Sequence, residues 1–179
     1  MKQRAVEGYG ATITRCEPTL AAREATLARI QAETGATFIH PYDDARVIAG
    51  QATAALELLT EVEALDAVIV PVGGGGLMAG VTLALAEVAP NVRVFAAEPA
   101  GADDAWRSKR SGVRESVGTP DTVADGLRTS LGDLTWPVLR DRVEDIPLLA
   151  AHLLDELATR RGRPGLTLTP AARQRLETH

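Results

Sequence analysis

Four consecutive glycines, Gly73 to Gly76, stand between an apolar run of strand length, Ala67 to Val72, and one of helix length, Leu77 to Val88. A second strand-like run, Val92 to Ala97, follows and closes on the carboxylate of Glu98. The order is strand, glycine loop, helix, strand. Glycines carry no β-carbon, so their N–H groups can crowd round an anion. They would do so where a helix N-terminus presents unpaired donors and the positive end of its dipole. The stretch from Asp66 to Glu98 therefore reads as a phosphate holder, and the rest of the chain is arranged around it.

The other elements support an alternating architecture. Residues 2 to 8 read as the end of a helix stopped at Tyr9-Gly10, and Ala11 to Cys16 alternates as a strand would. Glu17-Pro18-Thr19 caps a helix with Leu20, Leu27 and Ile30 on one stripe, ending at Gly35. A short strand is expected over Ala36 to Ile39, with His40-Pro41 as its exit. A helix from about Asp44 to Val62 follows, in which Ile48, Ala52, Ala55, Leu59 and Val62 step by three and four. Strands alternating with helices of this length imply an α/β fold: parallel strands joined by crossovers, in a sheet with helices on both faces. Beyond Glu98 a loop leads into a short helix stopped by Gly112. A turn-rich stretch comes next, and a helix begins at Thr135-Trp136-Pro137 and runs to about Asp145. Residues 147 to 179 change to a Leu-, Ala- and Arg-rich character.

Composition removes several classes of function. The net charge is -5 over 179 residues, and no Lys/Arg stripe interleaves with aromatics, so no nucleic-acid partner is expected. Cys16 is the only cysteine, which excludes an internal disulfide and a cysteine-based zinc site. His40, His152 and His179 are too dispersed to form a metal cluster. No signal peptide opens the chain, and Pro71 and the glycines interrupt the longest apolar run well short of a membrane span. A cytoplasmic protein with no membrane partner is the expectation.

Two functional readings of the glycine loop stay open on residues alone. Gly74, Gly76 and Ala79 fit G-x-G-x-x-[GA], with Glu98 about 20 residues on where a dinucleotide fold places its ribose-binding acid. Alternatively, Gly73 to Gly76 wrap a single phosphate through backbone N–H groups. Glu98, Asp103 and Asp104 form a second constellation, close enough in sequence for two carboxylates and an intervening carbonyl to hold a hard cation. The competing reading is that Asp103 or Asp104 caps the helix that follows. His40 reads as a hydrogen-bonded structural residue, and Asp125-Gly126 as a turn.

Taken together, YGATITRCEP, FIHPYDDARVIAGQATAALEL, VIVPVGGGGLMAGV, VFAAEPAGADDAWRSK, TPDTVADGLRTSLG and TWPVLRDRVEDI resemble the serine racemase and serine/threonine dehydratase family. These are pyridoxal-phosphate enzymes of fold-type II, and the likeness covers residues 2 to 146. The resemblance implies that Gly73, Gly74, Gly75, Gly76 and the Leu77 backbone hold the phosphate of pyridoxal 5'-phosphate, with Gly126 near the cofactor ring. It implies that Glu98, the Ala102 carbonyl and Asp104 bind Mg²⁺ or Ca²⁺. It also implies an amino-acid substrate, serine or threonine, and a homodimer for the intact family member. Lys2, Ala5 and Tyr9 match the region where animal members bind a nucleotide effector.

The departures from the family pattern are equally informative. Its chemistry needs a lysine that bonds covalently to the cofactor and moves a proton on one face of the substrate α-carbon, and a serine that acts on the other. This chain has only Lys2 and Lys109, neither in the family's Ser-x-Lys setting, so no catalytic residue is assigned within it. Both groups are expected in a segment preceding Met1. By the family map, residues 1–34 are the closing part of a small domain and 35–146 the central part of the large cofactor-binding domain. Residues 147–179 form a divergent tail. Such a chain is expected to expose apolar surface and to be marginally stable. Two outcomes stand: a racemase or dehydratase, or a remnant that binds phosphate or metal without turnover.

Overall fold

The computed structural model describes residues 2–122 and 124–144; expectations for Met1, Val123 and the stretch from 145 to 179 lie outside the described residues. The chain divides into two compact units, with the boundary between Ile39 and His40.

In the first unit, α1 (Lys2–Gly8) is followed by an irregular segment and α2 (Leu20–Thr34). Thr19 caps α2 by accepting the Ala22 N–H at 3.2 Å, and Gly35 ends it in the left-handed conformation at φ 68°. Ala11–Cys16 and Ala36–Ile39, expected as strands, form none. Alternating side chains give a segment the capacity to be a strand, but the strand exists only through a ladder with a neighbour, and these two segments have none among the described residues.

The second unit carries α3 (Ala45–Glu61), β1 (Ala67–Pro71), α4 (Gly76–Val88), β2 (Arg93–Ala97), α5 (Asp104–Ser111) and α6 (Thr135–Arg142), with 3₁₀ turns at Ala100–Ala102 and Asp125–Leu127. Asp44 caps α3 through the Arg46 N–H at 2.8 Å, and Gly112 ends α5 at φ 76°. The sequence-based boundaries of these helices hold within a few residues. β1 and β2 pair in parallel with Ala67 opposite Arg93 and Pro71 opposite Ala97, joined by α4 as the crossover. On its other edge β2 bridges from Phe95 to Glu144.

The core is built from Val70, Val72, Met78, Val81, Leu85, Val94, Ala96, Leu131, Leu139 and Val143. Val94, Phe95 and Ala96 are consecutive and all buried, so β2 is covered on both faces. At β1 Ile69 stays 44 % exposed, and Leu56 and Leu83 are also exposed, in keeping with the expected apolar surface. Among the described residues no helix is long and apolar enough to cross a membrane.

The two longest helices of this unit meet backbone to backbone. A β-carbon on Gly80 of α4 would lie 2.4 Å from the Ile48 carbonyl oxygen and 2.7 Å from the Ala52 nitrogen of α3. Gly80→Ala is therefore expected to cost about 1–3 kcal/mol, because backbone cannot swing aside as a side chain can. Gly50→Ala, with nothing within 4 Å, is expected to stabilise α3 by about 0.5–1 kcal/mol. Paired thermal melts check both, and equal melting temperatures for the two variants would contradict the close crossing.

Candidate active site: a glycine cup and a buried carboxylate corner

The glycine loop is shaped by what surrounds it. β1 delivers the chain to Gly73, Gly75 takes φ +87°, and α4 starts at Gly76 with no side-chain cap. The first intrahelical bond runs from Ala79 N–H to the Gly75 carbonyl at 2.8 Å, so the N–H groups of Gly76, Leu77 and Met78 have no intrahelical acceptor. All four glycines are buried, a costly setting for unpaired donors unless an anion takes them.

Neighbouring groups occupy the space that β-carbons would need. One on Gly73 would lie 2.9 Å from the Gly126 carbonyl and 3.2 Å from Thr129 Oγ1. On Gly74 it would be 2.3 Å from the Tyr42 ring, and on Gly75 2.9 Å from Thr135 Oγ1. A β-carbon on Gly76 would be 2.9 Å from Tyr42 Cβ. The structure thus brings Gly73 to Gly76, Leu77 and Gly126 together and adds Tyr42, Thr129 and Thr135 as walls. With no room for β-carbons and a row of donors at a helix N-terminus, this loop fits a phosphate.

The turn that carries Tyr42 and the hydroxyl of Thr135 are themselves held by hydrogen bonds. His40 Nδ1 accepts the Asp43 N–H at 2.9 Å, fixing the turn that carries Tyr42. This is the structural role read from the sequence. The Asp43 carboxylate then accepts the N–H groups of Asp133 and Leu134 at 2.9 and 2.8 Å, capping α6 from another part of the chain. Thr135 does not act as a helix cap. Its hydroxyl donates to the Gly74 carbonyl at 2.8 Å and accepts from Gly132 N–H at 2.9 Å. Only the Gly132-x-x-Thr135 spacing hinted at this in the sequence; the partner sixty-one positions earlier could not be read there.

The second constellation converges in part. Glu98 at the end of β2 accepts Ala105 N–H at 3.1 Å and Trp106 N–H at 2.8 Å. Glu98, rather than Asp103 or Asp104, therefore caps α5; it approaches the uncapped N–H groups from the neighbouring strand end, which local sequence cannot reveal. Asp103 turns to Arg107 Nε at 2.8 Å. Asp104 is 1 % exposed; its Oδ2 accepts only a long 3.4 Å bond from Leu131 N–H, and its Oδ1 has no partner among the described residues.

Burial pushes the Glu98 carboxyl up to about 8, against its two N–H donors and with the Asp104 and Asp103 charges adding to the rise. Burial likewise pushes Asp104 up to about 6, against the Leu131 N–H and Arg107. Two desolvated carboxylates beside the buried Ala102, one with an orphaned oxygen, are chemistry that a hard cation would compensate. No group of three Asp, Glu, His or Cys side chains comes together among the described residues, so such a cation would rely on the Ala102 carbonyl and water for its remaining ligands.

Glu98 accepts one α5 N–H group on each carboxylate oxygen, which leaves each oxygen a further lone pair for a ligand. The space behind it, walled by Ala96, Trp106, Lys109, Leu139, Val143 and Glu144, is about 10 Å³, room for water and no more. Lys109 donates to the carbonyls of Leu139 at 3.3 Å and Arg140 at 3.1 Å, and to that of Val143, capping the end of α6. Lys2, Ala5 and Tyr9 lie in the first unit, on α1 and in the turn after it, where Tyr9 is 88 % exposed and its N–H bonds the Ala5 carbonyl at 3.1 Å.

Comparison with known proteins identifies the family. The model of the family described as pyridoxal-phosphate dependent enzyme matches residues 1–152. A β-hydroxyaspartate dehydratase of Paracoccus denitrificans (strain Pd 1222) is 52 % identical over 145 residues, which are 81 % of this chain and 46 % of that protein. A serine racemase of Arabidopsis thaliana is 50 % identical over 141 residues, 79 % of this chain and 43 % of the relative. The structure of maize serine racemase superposes with a TM-score of 0.78 at 42 % identity, covering 88 % of this chain and 50 % of the other. The chain spans about half the length of these relatives. With a parallel sheet and helices in the fold-type II arrangement and a match over most of its length, the chain belongs to the pyridoxal-phosphate dependent enzyme family.

Proposed function

We propose that this chain is the phosphate-holding and cation-holding part of a pyridoxal-phosphate enzyme that racemises or dehydrates a 3-hydroxy amino acid such as serine or threonine. The observation that carries the reading is the buried, uncapped Gly73 to Gly76 cup at the start of α4. Relatives named as a β-hydroxyaspartate dehydratase and a serine racemase support the substrate class. Pyridoxal phosphate, when bound, supplies an electron sink for the carbanion left by removing the α-proton. If that proton returns to the other face, the product is the enantiomer. If the β-hydroxyl leaves as water, hydrolysis then gives ammonia and a 2-oxo acid.

The chain's own residues contribute binding and orientation. The N–H groups from Gly73 to Leu77 would hold the phosphate, Tyr42 walls the loop, and Gly126, whose carbonyl stands beside Gly73, would flank the cofactor. Glu98, the Ala102 carbonyl and Asp104 would hold Mg²⁺ or Ca²⁺, which would compensate the two carboxylates at the start of α5. The test titrates the full 179-residue chain with pyridoxal phosphate, pyridoxal and inorganic phosphate. Pyridoxal phosphate should bind more tightly than pyridoxal and be displaced by phosphate; equal binding of the first two would remove the cup reading.

A second reading, binding without turnover by this chain, is favoured by the Lys109 ammonium, which is committed to the end of α6. Borohydride reduction of the chain with pyridoxal phosphate, followed by peptide mass mapping, is expected to leave Lys109 unmodified. Assays for pyruvate and D-serine are expected to be silent, and turnover that survives removal of contaminating enzymes would overturn this reading.

A further inference from the structure

We infer that Thr135 is a positioning residue for the phosphate cup, aiming the Gly75 N–H at the anion from behind. The inference rests on the cup reading above. Thr135 is 1 % exposed and donates its hydroxyl proton to the Gly74 carbonyl at 2.8 Å. That carbonyl shares a peptide plane with the Gly75 N–H, and no peptide bond is cis. In a trans peptide the two groups point in opposite directions, so fixing the carbonyl on Thr135 turns the N–H away from Thr135 and toward the mouth of the loop. A hydrogen bond at the carbonyl also polarises the amide and strengthens its N–H as a donor.

Gly75 needs this restraint more than its neighbours do. At φ +87° it precedes the first helical residue, and its N–H has no helix geometry to orient it, whereas those of Gly76 and Leu77 are set by α4. Thr135 can serve because its own position is over-determined. Gly132 N–H donates to the same hydroxyl at 2.9 Å, and the Asp43 carboxylate pins Asp133 and Leu134 at 2.9 and 2.8 Å. Gly132 must be glycine for this approach, since a β-carbon there would lie 2.1 Å from the Asp43 carboxyl carbon. The segment from 132 to 135 is thereby held to the turn at residues 40–43 and acts as a fixed backstop.

The experiment compares the full chain with Thr135→Val, which keeps the shape and removes the hydroxyl, and Thr135→Ser, which keeps the hydroxyl. Calorimetric titrations use inorganic phosphate, pyridoxal phosphate and pyridoxal. Thr135→Val is expected to bind phosphate and pyridoxal phosphate about tenfold more weakly with pyridoxal binding unchanged, and Thr135→Ser to restore the wild-type ratio. An unchanged ratio of pyridoxal phosphate to pyridoxal affinity in Thr135→Val, even with a lowered melting temperature, would show a merely structural role and overturn the inference.

Amide resonances of the unmutated chain provide a measurement that does not depend on the variant folding. Phosphate should shift the Gly75 N–H resonance and slow its exchange. If Gly76 and Leu77 respond while Gly75 does not, the inference fails and the cup stands. If no loop amide responds and no phosphate binds, the cup reading itself fails and takes this inference with it.

Discussion

Gly75→Ala is expected to weaken phosphate binding by tenfold or more and to destabilise the chain by about 1–3 kcal/mol. Two independent costs combine at this position. The backbone sits at φ +87°, where an L side chain brings its β-carbon against the following carbonyl at roughly 1–2 kcal/mol. The new β-carbon would also lie 2.9 Å from Thr135 Oγ1 and 3.0 Å from Leu131 Cδ2, both on buried residues with little room to retreat. Relief by a change in φ would rotate the peptide planes on either side and re-aim the N–H groups proposed to hold the phosphate. The checks are a thermal melt and a phosphate titration on the same preparation. Wild-type affinity in Gly75→Ala would show that the left-handed glycine is not what shapes the cup.

The metal-free chain is expected to lose stability as pH rises from about 4 to about 8. Both corner carboxyls have folded values above their ordinary ones: Asp104 at about 6 against 3.8, and Glu98 at about 8 against 4.5. The folded chain holds these protons through a range in which the unfolded chain has released them. Stability from the neutral form is therefore complete below the unfolded values and is lost as pH climbs through the folded ones. The loss begins with Asp104 and continues with Glu98. Adding Mg²⁺ or Ca²⁺ should restore the melting temperature at about pH 8 and have little effect at about pH 5, because the cation pairs with the ionised carboxylates and not with the acids. Glu98→Gln should flatten the upper part of the profile. A melting temperature in chelator that rises between about pH 5 and pH 8 would contradict the assignment.

Much of this protein is legible in local sequence. The strand, glycine loop, helix and strand from Asp66 to Glu98 stand where the apolar runs place them, and Thr19, Gly35, Asp44 and Gly112 end their helices as their residue types imply. These features depend on contacts within one or two turns, so the order of residues suffices to specify them. The motifs likewise carried the family resemblance, and with it the glycines of the cup. The stretches Ala11–Cys16 and Ala36–Ile39 mark the limit: their alternation is real, but pairing is a property of two segments.

Only the tertiary structure decided what each polar group at the site does. Glu98 reads from the sequence as a ribose acid or a cation ligand, and the structure adds that it caps α5, because β2 stops beside the uncapped N–H groups of that helix. Lys109, one of two lysines in this sequence, is spent on the carbonyls at the end of α6 thirty positions later. The roles of Tyr42 and Asp43 gave no local signal, and that of Thr135 only its spacing from Gly132, since Gly74 and Gly76 stand over thirty positions from Tyr42 and the Asp43 and Thr135 partners sixty-one to ninety-one positions away. Helix caps and apolar periods are short-range and survive in a single sequence. The walls of the cup and the buried carboxylate corner come from segments brought together by packing, where burial, and not residue type, sets how each charge behaves.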